Sequence, residues 1–456
     1  MNSYPMSNKW TNYQTPMRRV LMLVVILCFL NGALLAQSST MSLQQSIDYA
    51  LKNSPSMKGT LYDVQIAQLE TEKLLGIGLP QLSGSLQYQN YIDLPTSVVP
   101  GDFFGAPGQE IRLQFGTPHN MTAGISASQL LFNGSWLVGL QASKAYAELQ
   151  NKNVQLSELE LKQKVAEAYS LCVIAERNVE ILSNTKAVLA QLRDETAALL
   201  QAGFVEQQDV DQLTLNVNDM DNRISAAQEQ QKLTNNLLKF TIGMPLTEEL
   251  VLSQKATDLM GNAAIDGSSF SADANINVQL AENALVMREL ALKNEKAKLL
   301  PNAAAFYNLQ SQALRQEFNF FDSSKPWFPI QLWGVQMNIP IFTGGSQNRA
   351  IQIAKVELEK SKVTVQMAKE GASLAYQSAK INYDFALKNL TTTEQSMQLA
   401  QSILDKTNIK FKEGLSSSFD VSQSTSQVLQ AQGNYVQAML SLLNAEVALK
   451  KALNNL

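Results

Sequence analysis

One long helical hairpin dominates the sequence, and it occurs twice. From Ser135 to about Gln201 the chain reads as a single uninterrupted helix; Ala202-Gly203-Phe204 turns it, and Glu206 to about Ile242 runs back. From Ser346 to about Lys412 the pattern recurs, turned at Glu413-Gly414-Leu415 and returning from Ser418 to about Asn454. Gly134-Ser135 matches Gly345-Ser346, Gly203 matches Gly414, and Asp209-Val210 matches Asp420-Val421, each pair 211 positions apart. With no insertion or deletion between the start of each helix and its turn, both hairpins reach the same distance. A helix of about 65 residues is about 100 Å long. That is far beyond the usual helix and requires a coiled coil or a helical tube.

The helices carry the matching pattern. Val165, Ala168, Cys172, Ala175, Val179, Leu182, Leu189 and Leu192 fall at spacings of three and four, or their sum, which is a coiled-coil seam. Tyr169, Leu171, Ile174, Ile181 and Val188 widen it, so each helix can touch neighbours on two sides. Two seams favour a curved sheet of helices around a lumen, although a solid bundle fits this pattern too.

Ahead of each hairpin the period changes from about 3.6 to 2. Leu82, Gly84, Leu86 and Tyr88 alternate with Ser83, Ser85, Gln87 and Gln89. After a Pro/Gly/aromatic segment (95–108), a second strand region is expected from Ile111 to Phe132. There Ile111, Leu113, Phe115, Met121, Ala123, Ile125 and Leu131 share one face, opposite Arg112, Gln114, Asn120, Thr122, Ser126 and Ser128. The second copy repeats the design over Pro301–Gln310 and Pro329–Phe342, where Trp333, Val335, Met337, Ile339 and Ile341 oppose Leu332, Gln336 and Asn338. Such a sheet could pack on a soluble core, but the helices are already committed to the hairpins. Phe103, Phe104, Phe318, Phe320, Phe321, Trp327, Phe328 and Trp333 crowd the loops and strand ends as an interfacial girdle would. The expectation is a membrane β-barrel. Four strands cannot close alone, and an open edge in lipid leaves backbone groups unpaired. Two copies would give eight strands and a filled interior; three give twelve and room for a pore. The polar inward face favours the pore, hence a trimer.

Shorter helices are expected over about 42–53, 56–75 and 276–300, and periodicity lapses between Gly243 and about Asn275. Arg18-Arg19, the apolar run from Val20 to Leu30 and the small residues up to Ala36 read as a secretory signal, with Met17 an alternative start to Met1. Of two cysteines, Cys28 would leave with the signal, and no cysteine stands at the cleavage point, so an acyl anchor is not expected. Cys172 alone allows no disulfide within the chain. A net charge of −4 offers no basic footprint for nucleic acid.

No catalytic constellation, metal site or cofactor is expected. The one histidine, His119, follows Pro118 without a partner motif, and no phosphate-cradling loop, paired-cysteine site or nucleophile elbow occurs. The turns are more informative. Asp209 and Asp420 stand six residues past the turn glycines, where a carboxylate meets the positive end of a helix dipole, and Ser417 with Asp420 can form a capping pair. In a trimer six such carboxylates would also form a cation-favouring constriction.

The repeated strand–strand–hairpin unit is similar to the TolC family of outer-membrane efflux proteins. The likeness rests on Leu79-Pro80 and Leu300-Pro301 opening the strands, on Leu131-Phe132-Asn133-Gly134 and Ile341-Phe342-Thr343-Gly344 closing them, and on the glycine-centred tips. The resemblance implies a mainly α, trimeric channel-tunnel with a membrane β-barrel, four strands and long helical hairpins per protomer, and an internal two-fold repeat. It divides the chain into a signal peptide (1–36), a first repeat (37–243; strand pair 79–133, hairpin 135–242), an equatorial linker (244–274) and a second repeat (275–456; strand pair 300–343, hairpin 346–454). It implies an outer-membrane location extending into the periplasm. The partners it implies are a periplasmic adaptor and an inner-membrane RND pump or ABC exporter. By position, Gly203, Phe204, Gly414 and Leu415 match the adaptor-docking tips, and Asp209 and Asp420 the constriction. Ser416 stands where the family often has an arginine of the closing network, and Gln423 replaces a second constriction aspartate. The rival reading is a non-conducting periplasmic coiled-coil scaffold tethered to the outer membrane.

Overall fold

The computed structural model describes residues 39–105, 107–260 and 270–456. The expected signal segment, 1–36, and part of the expected linker lie outside them. In chain order, strand β1 (Ser39–Met41) precedes helix α1 (Leu43–Asn53). Ser42 caps that helix: its hydroxyl accepts the Gln45 N–H at 3.3 Å, and the Gln45 side chain accepts the Ser42 N–H at 2.9 Å. Helix α2 (Pro55–Ile77) comes next, with Pro55 at the first position, where its missing N–H costs nothing. After it lie β2 (Gln81–Asn90), β3 (Thr96–Pro100), β4 (Glu110–Gln114) and β5 (His119–Asn133). Helices α3 (Gly134–Gln201) and α4 (Gln207–Ile242) form the first hairpin. The short β6 (Leu250–Leu252) and α5 (Ala256–Met260) precede α6 (Ile276–Ala297). The second repeat is β7 (Asn302–Arg315), β8 (Phe328–Asn338), α7 (Ser346–Lys412) and α8 (Ser418–Ala452).

The Cα positions group into two units, each drawing on both sequence repeats: 59–156 with 272–372, and 39–58 with 157–271 and 373–456 among the described residues. The first unit holds a four-stranded antiparallel sheet in the order β2-β5-β7-β8. Register decides its character. One row places Leu86, Ala123, Ser311 and Pro329 opposite one another, the next but one Leu82, Ala127, Tyr307 and Trp333, and Ile125 pairs with Leu309 between them. All of these share one face, because directly opposed residues point the same way. Ser83, Ser126 and Asn308 form a row of the other face, as do Gln87, Thr122, Gln312 and Phe328. The apolar face is uncovered in the single chain: Leu82, Leu86, Ile125, Trp333 and Val335 are all exposed. β2 and β8 are the sheet's edges.

Three details differ from the sequence reading. The expected strand from Ile111 to Phe132 is two strands: β4 pairs with β3 in a separate ribbon, so Ile111 and Leu113 do not belong to the four-stranded sheet. Gly116, at φ +109°, lies just beyond the end of β4. Leu131 sits at a bulge between Leu130 and Phe132, which flips the alternation, so Phe132 takes the apolar side opposite Ala303. The second copy lacks this extension, because β8 stops at Asn338 before Pro340, which has no N–H to offer a ladder. The chain then turns through Gly344 and Gly345, both at positive φ, into α7.

Where α3 leaves the sheet, Gly134 admits close approach: a Cβ there would lie 3.1 Å from the Ala297 carbonyl oxygen. Trp136 packs its indole over Gly78 and donates Nε1–H to the Leu74 carbonyl at 2.8 Å.

The second unit is helical, with β1 and β6 paired in parallel. Along α3 the seam residues Val165, Ala168, Cys172, Leu189 and Leu192 are buried, as are the flanking Tyr169, Ile174 and Ile181, which makes the broad stripe real. Burial pushes the Cys172 thiol up to about 12, the behaviour of an inert core cysteine. No described helix is long and apolar enough to cross a membrane. By the sequence reading, the sheet's exposed apolar face is expected to meet lipid. Ile125→Arg should destabilise the protein refolded in lipid vesicles by up to about 2–4 kcal/mol, and Ser126→Arg, on the opposite face, by much less. Denaturant titration followed by tryptophan fluorescence reads the difference.

Candidate functional site: the two glycine turns

Both hairpin turns lie in the helical unit and share one construction. At the end of α3 the Gly203 N–H donates to the Leu200 carbonyl (2.9 Å) and the Phe204 N–H to the Leu199 carbonyl (3.0 Å). At the end of α7 the Gly414 N–H donates to the Phe411 carbonyl (3.0 Å) and the Leu415 N–H to the Lys410 carbonyl (2.8 Å). This doubled closure satisfies carbonyls that a helix end otherwise leaves bare, and it needs a left-handed residue. Gly203 has φ +79° and Gly414 φ +70°. Among the described residues, chain neighbours apart, no atom lies within 4 Å of where a Cβ would stand on either, so glycine is required by backbone conformation and not by crowding. The residue after each glycine points outward, Phe204 at 78% exposure and Leu415 at 77%.

The returning helices start differently. Asp420, in the first turn of α8, accepts three hydrogen bonds on Oδ2: from the Ser417 N–H (2.9 Å), the Ser417 hydroxyl (2.8 Å) and the Ser416 hydroxyl (3.0 Å). These bonds, the Ser417 backbone and hydroxyl first, hold its carboxyl below the usual carboxylate range. Among the described residues Asp209 accepts only the Glu206 N–H, at 3.3 Å, and is half-buried. Gln423 is exposed one turn further along α8. Among the described residues no hydrogen bond joins Asp209, Asp420 and Gln423 to one another.

Contacts between the hairpins hold the turns in place. Leu192 and Leu213 from the first hairpin pack with Ala400, Leu404, Phe411, Val421 and Val428 from the second. Asn216 Nδ2 donates to the Ser422 hydroxyl at 2.8 Å, so α4 and α8 meet just beyond their starts. Lys412 pairs with Glu195 across the hairpins, and within the first hairpin Lys186 pairs with Asp221. The hydrogen bond from Lys412, followed by that from Gln191, lowers the Glu195 carboxyl. Nothing in the repeat signals the Lys412–Glu195 pair, because at an offset of 211 Lys412 aligns with Gln201 and Glu195 with Lys406. His119 sits far along the chain from this site, at the start of β5, its Nδ1 2.8 Å from the Tyr88 hydroxyl.

Residues 279–455, which include the whole second hairpin, match the family described as Outer membrane efflux protein. The chain carries an outer membrane efflux protein domain. Over 347 residues it is 21% identical to the outer membrane protein TolC of Vibrio cholerae, covering 74% of this chain and 77% of that protein. Among solved structures it is similar to the channel CusC, with a TM-score of 0.73 and 16% identity over 92% of this chain and 95% of that one. It is also similar to the Neisseria gonorrhoeae MtrE outer membrane channel, crystallised in an open state, with a TM-score of 0.70 and 18% identity over 90% and 88% of the two chains. The fold is that of these efflux channels, and the 211-residue register extends the domain's hairpin design to the first half of the chain.

The cap on α8 predicts an acid response. A carboxyl held below its unfolded value adds stability that is present above that value and lost as pH falls through the folded one. Ser416→Ala should raise the Asp420 titration midpoint toward the ordinary carboxylate range, read by NMR of 13C-labelled aspartate.

Proposed function

We propose that three copies of this chain form an outer-membrane exit duct for small molecules or proteins, reaching through the periplasm and powered by partners. The observation that carries the reading is the four-stranded sheet with an exposed apolar face, a polar face and two free edges, in a chain with an efflux-protein domain. In lipid each free edge must find a strand. Three copies supply twelve strands, and their polar faces line the pore. The domain's family consists of channels, and no residue of this chain is assigned a catalytic role. The chain divides, in this reading, into a signal (1–36), two repeats (37–243 and 275–456) and an equatorial linker (244–274).

The turns serve as docking tips for a periplasmic adaptor, with Gly203, Phe204, Gly414 and Leu415 presented to it, and an RND pump or ABC exporter beyond. Asp209, Asp420 and Gln423 line the constriction. Exposed Phe204 and Leu415 on rigid, left-handed turns support this assignment, since a protruding apolar side chain on a fixed backbone is a ready anchor for a partner. The difference between Ser416 and the arginine often found in the family makes the inner end less tightly held, because the Ser416 hydroxyl bonds within its own turn.

Planar-bilayer recording tests the duct directly. A purified trimer should conduct ions; a trimer that carries no current leaves the non-conducting scaffold as the better reading. Asp209→Ala combined with Asp420→Ala should raise conductance and weaken block by multivalent cations, and unchanged currents would reduce both residues to helix caps. Gly203→Val with Gly414→Val forces β-branched residues into a left-handed conformation at about 1–2 kcal/mol each. Adaptor binding should be lost while the trimer survives gel filtration.

A further inference from the structure

The four strands of the large sheet hold one charged side chain, and it is not on the polar face. β2, β5 and β8 contain no aspartate, glutamate, lysine or arginine, and β7 ends on Arg315. Arg315 lies opposite His119, each an even number of residues from the Ile125–Leu309 pair, so both belong to the apolar face. It is 6% exposed, and its guanidinium donates to the carbonyls of Leu314, Lys325 and Pro326 at 3.0–3.1 Å. Its polar contacts therefore stay at the strand end and in the loop before β8.

The polar face is built from neutral groups that both donate and accept. Ser83, Ser85 and Gln87 of β2, Thr122 and Ser126 of β5 and Asn308 of β7 all lie in it. Hydroxyls and amides offer an acceptor to a cation and a donor to an anion. Interspersed apolar residues such as Ile330 and Leu332 carry no charge either. Channels prefer one sign of ion through rings of charged side chains, whose field a narrow passage focuses. This wall has no such ring. We infer that the sheet does not sort solutes by charge: cations, anions and neutral polar molecules pass it alike, and any charge preference of the duct is set by groups outside the four strands. The inference rests on the reading that the polar face lines the pore.

The full-length protein in lipid nanodiscs, carrying Ser126→Cys, tests this with a cationic trimethylammonium-ethyl and an anionic sulfonato-ethyl methanethiosulfonate. Ser126 is the midpoint of β5, seven residues from either end, or about 24 Å along an extended strand. Screening in 0.1 M salt acts over about 10 Å, so charges beyond the strand ends contribute little there. Cys172 is buried and inert, and unsubstituted protein gives the background. The cation-to-anion ratio of modification rates at Ser126→Cys should stay within about threefold of that for free 2-mercaptoethanol. Ser83→Glu places a carboxylate directly opposite and should push the ratio more than about threefold toward the cation. A larger bias without Ser83→Glu, or no shift with it, overturns the proposal. Ile125→Cys, on the other face, should resist both reagents. If it reacts as fast as Ser126→Cys, the pore reading itself falls, whatever the ratio.

Discussion

Backbone hydrogen bonds that one chain cannot complete govern this protein. β2 and β8 each present an unpaired edge, and the register places Leu82 and Leu86 of β2 on the same face of the sheet as Ile125 of β5. In water such a sheet would need a covering layer. In lipid the apolar face is already satisfied, and the edges become the problem, since hydrocarbon offers no donors or acceptors. Closing the edges with further copies answers the second difficulty without disturbing the first. The polar rows of serine, asparagine and glutamine then acquire an aqueous side.

The hairpins show a second economy of design. Each is closed by the same pair of backbone bonds around a left-handed glycine, so the turn is set by local chemistry and is independent of what packs beside it. The residues just past the turn differ between the copies. Ser416 and Ser417 stand in the second copy where Val205 and Glu206 stand in the first. Two hydroxyls and a backbone N–H converge on Asp420, whereas Asp209 receives a single long bond. The two aspartates occupy equivalent positions and differ in hydrogen bonding, because their caps have diverged.

Long periodic elements were legible in the residues. The helix starts, expected at Ser135 and Ser346 and found at Gly134 and Ser346, the left-handed glycines and the Ser417–Asp420 cap all come from spacing and side-chain type. Short elements were not. β1 and β6 have three residues each and no period to detect; they exist because they pair with one another. β3 lay hidden in a stretch rich in proline, glycine and aromatics, and β4, legible in the alternation of Ile111 and Leu113, pairs with it and not with the four-stranded sheet. The Leu131 bulge escaped because a single extra residue shifts the pairing without altering the alternation visible on either side.

Periodicity and glycine's tolerance of positive φ were enough to dictate that two equal hairpins form, where they turn, and that strands with one apolar face precede each of them. Packing settled the rest: which strands became neighbours, that Lys412 would meet Glu195, and that Gln432 would reach Thr185 with one oxygen left unpaired. Both side-chain pairs join the first hairpin to the second across most of the length of a repeat or more, and no local preference encodes a contact that only the folded chain brings into range.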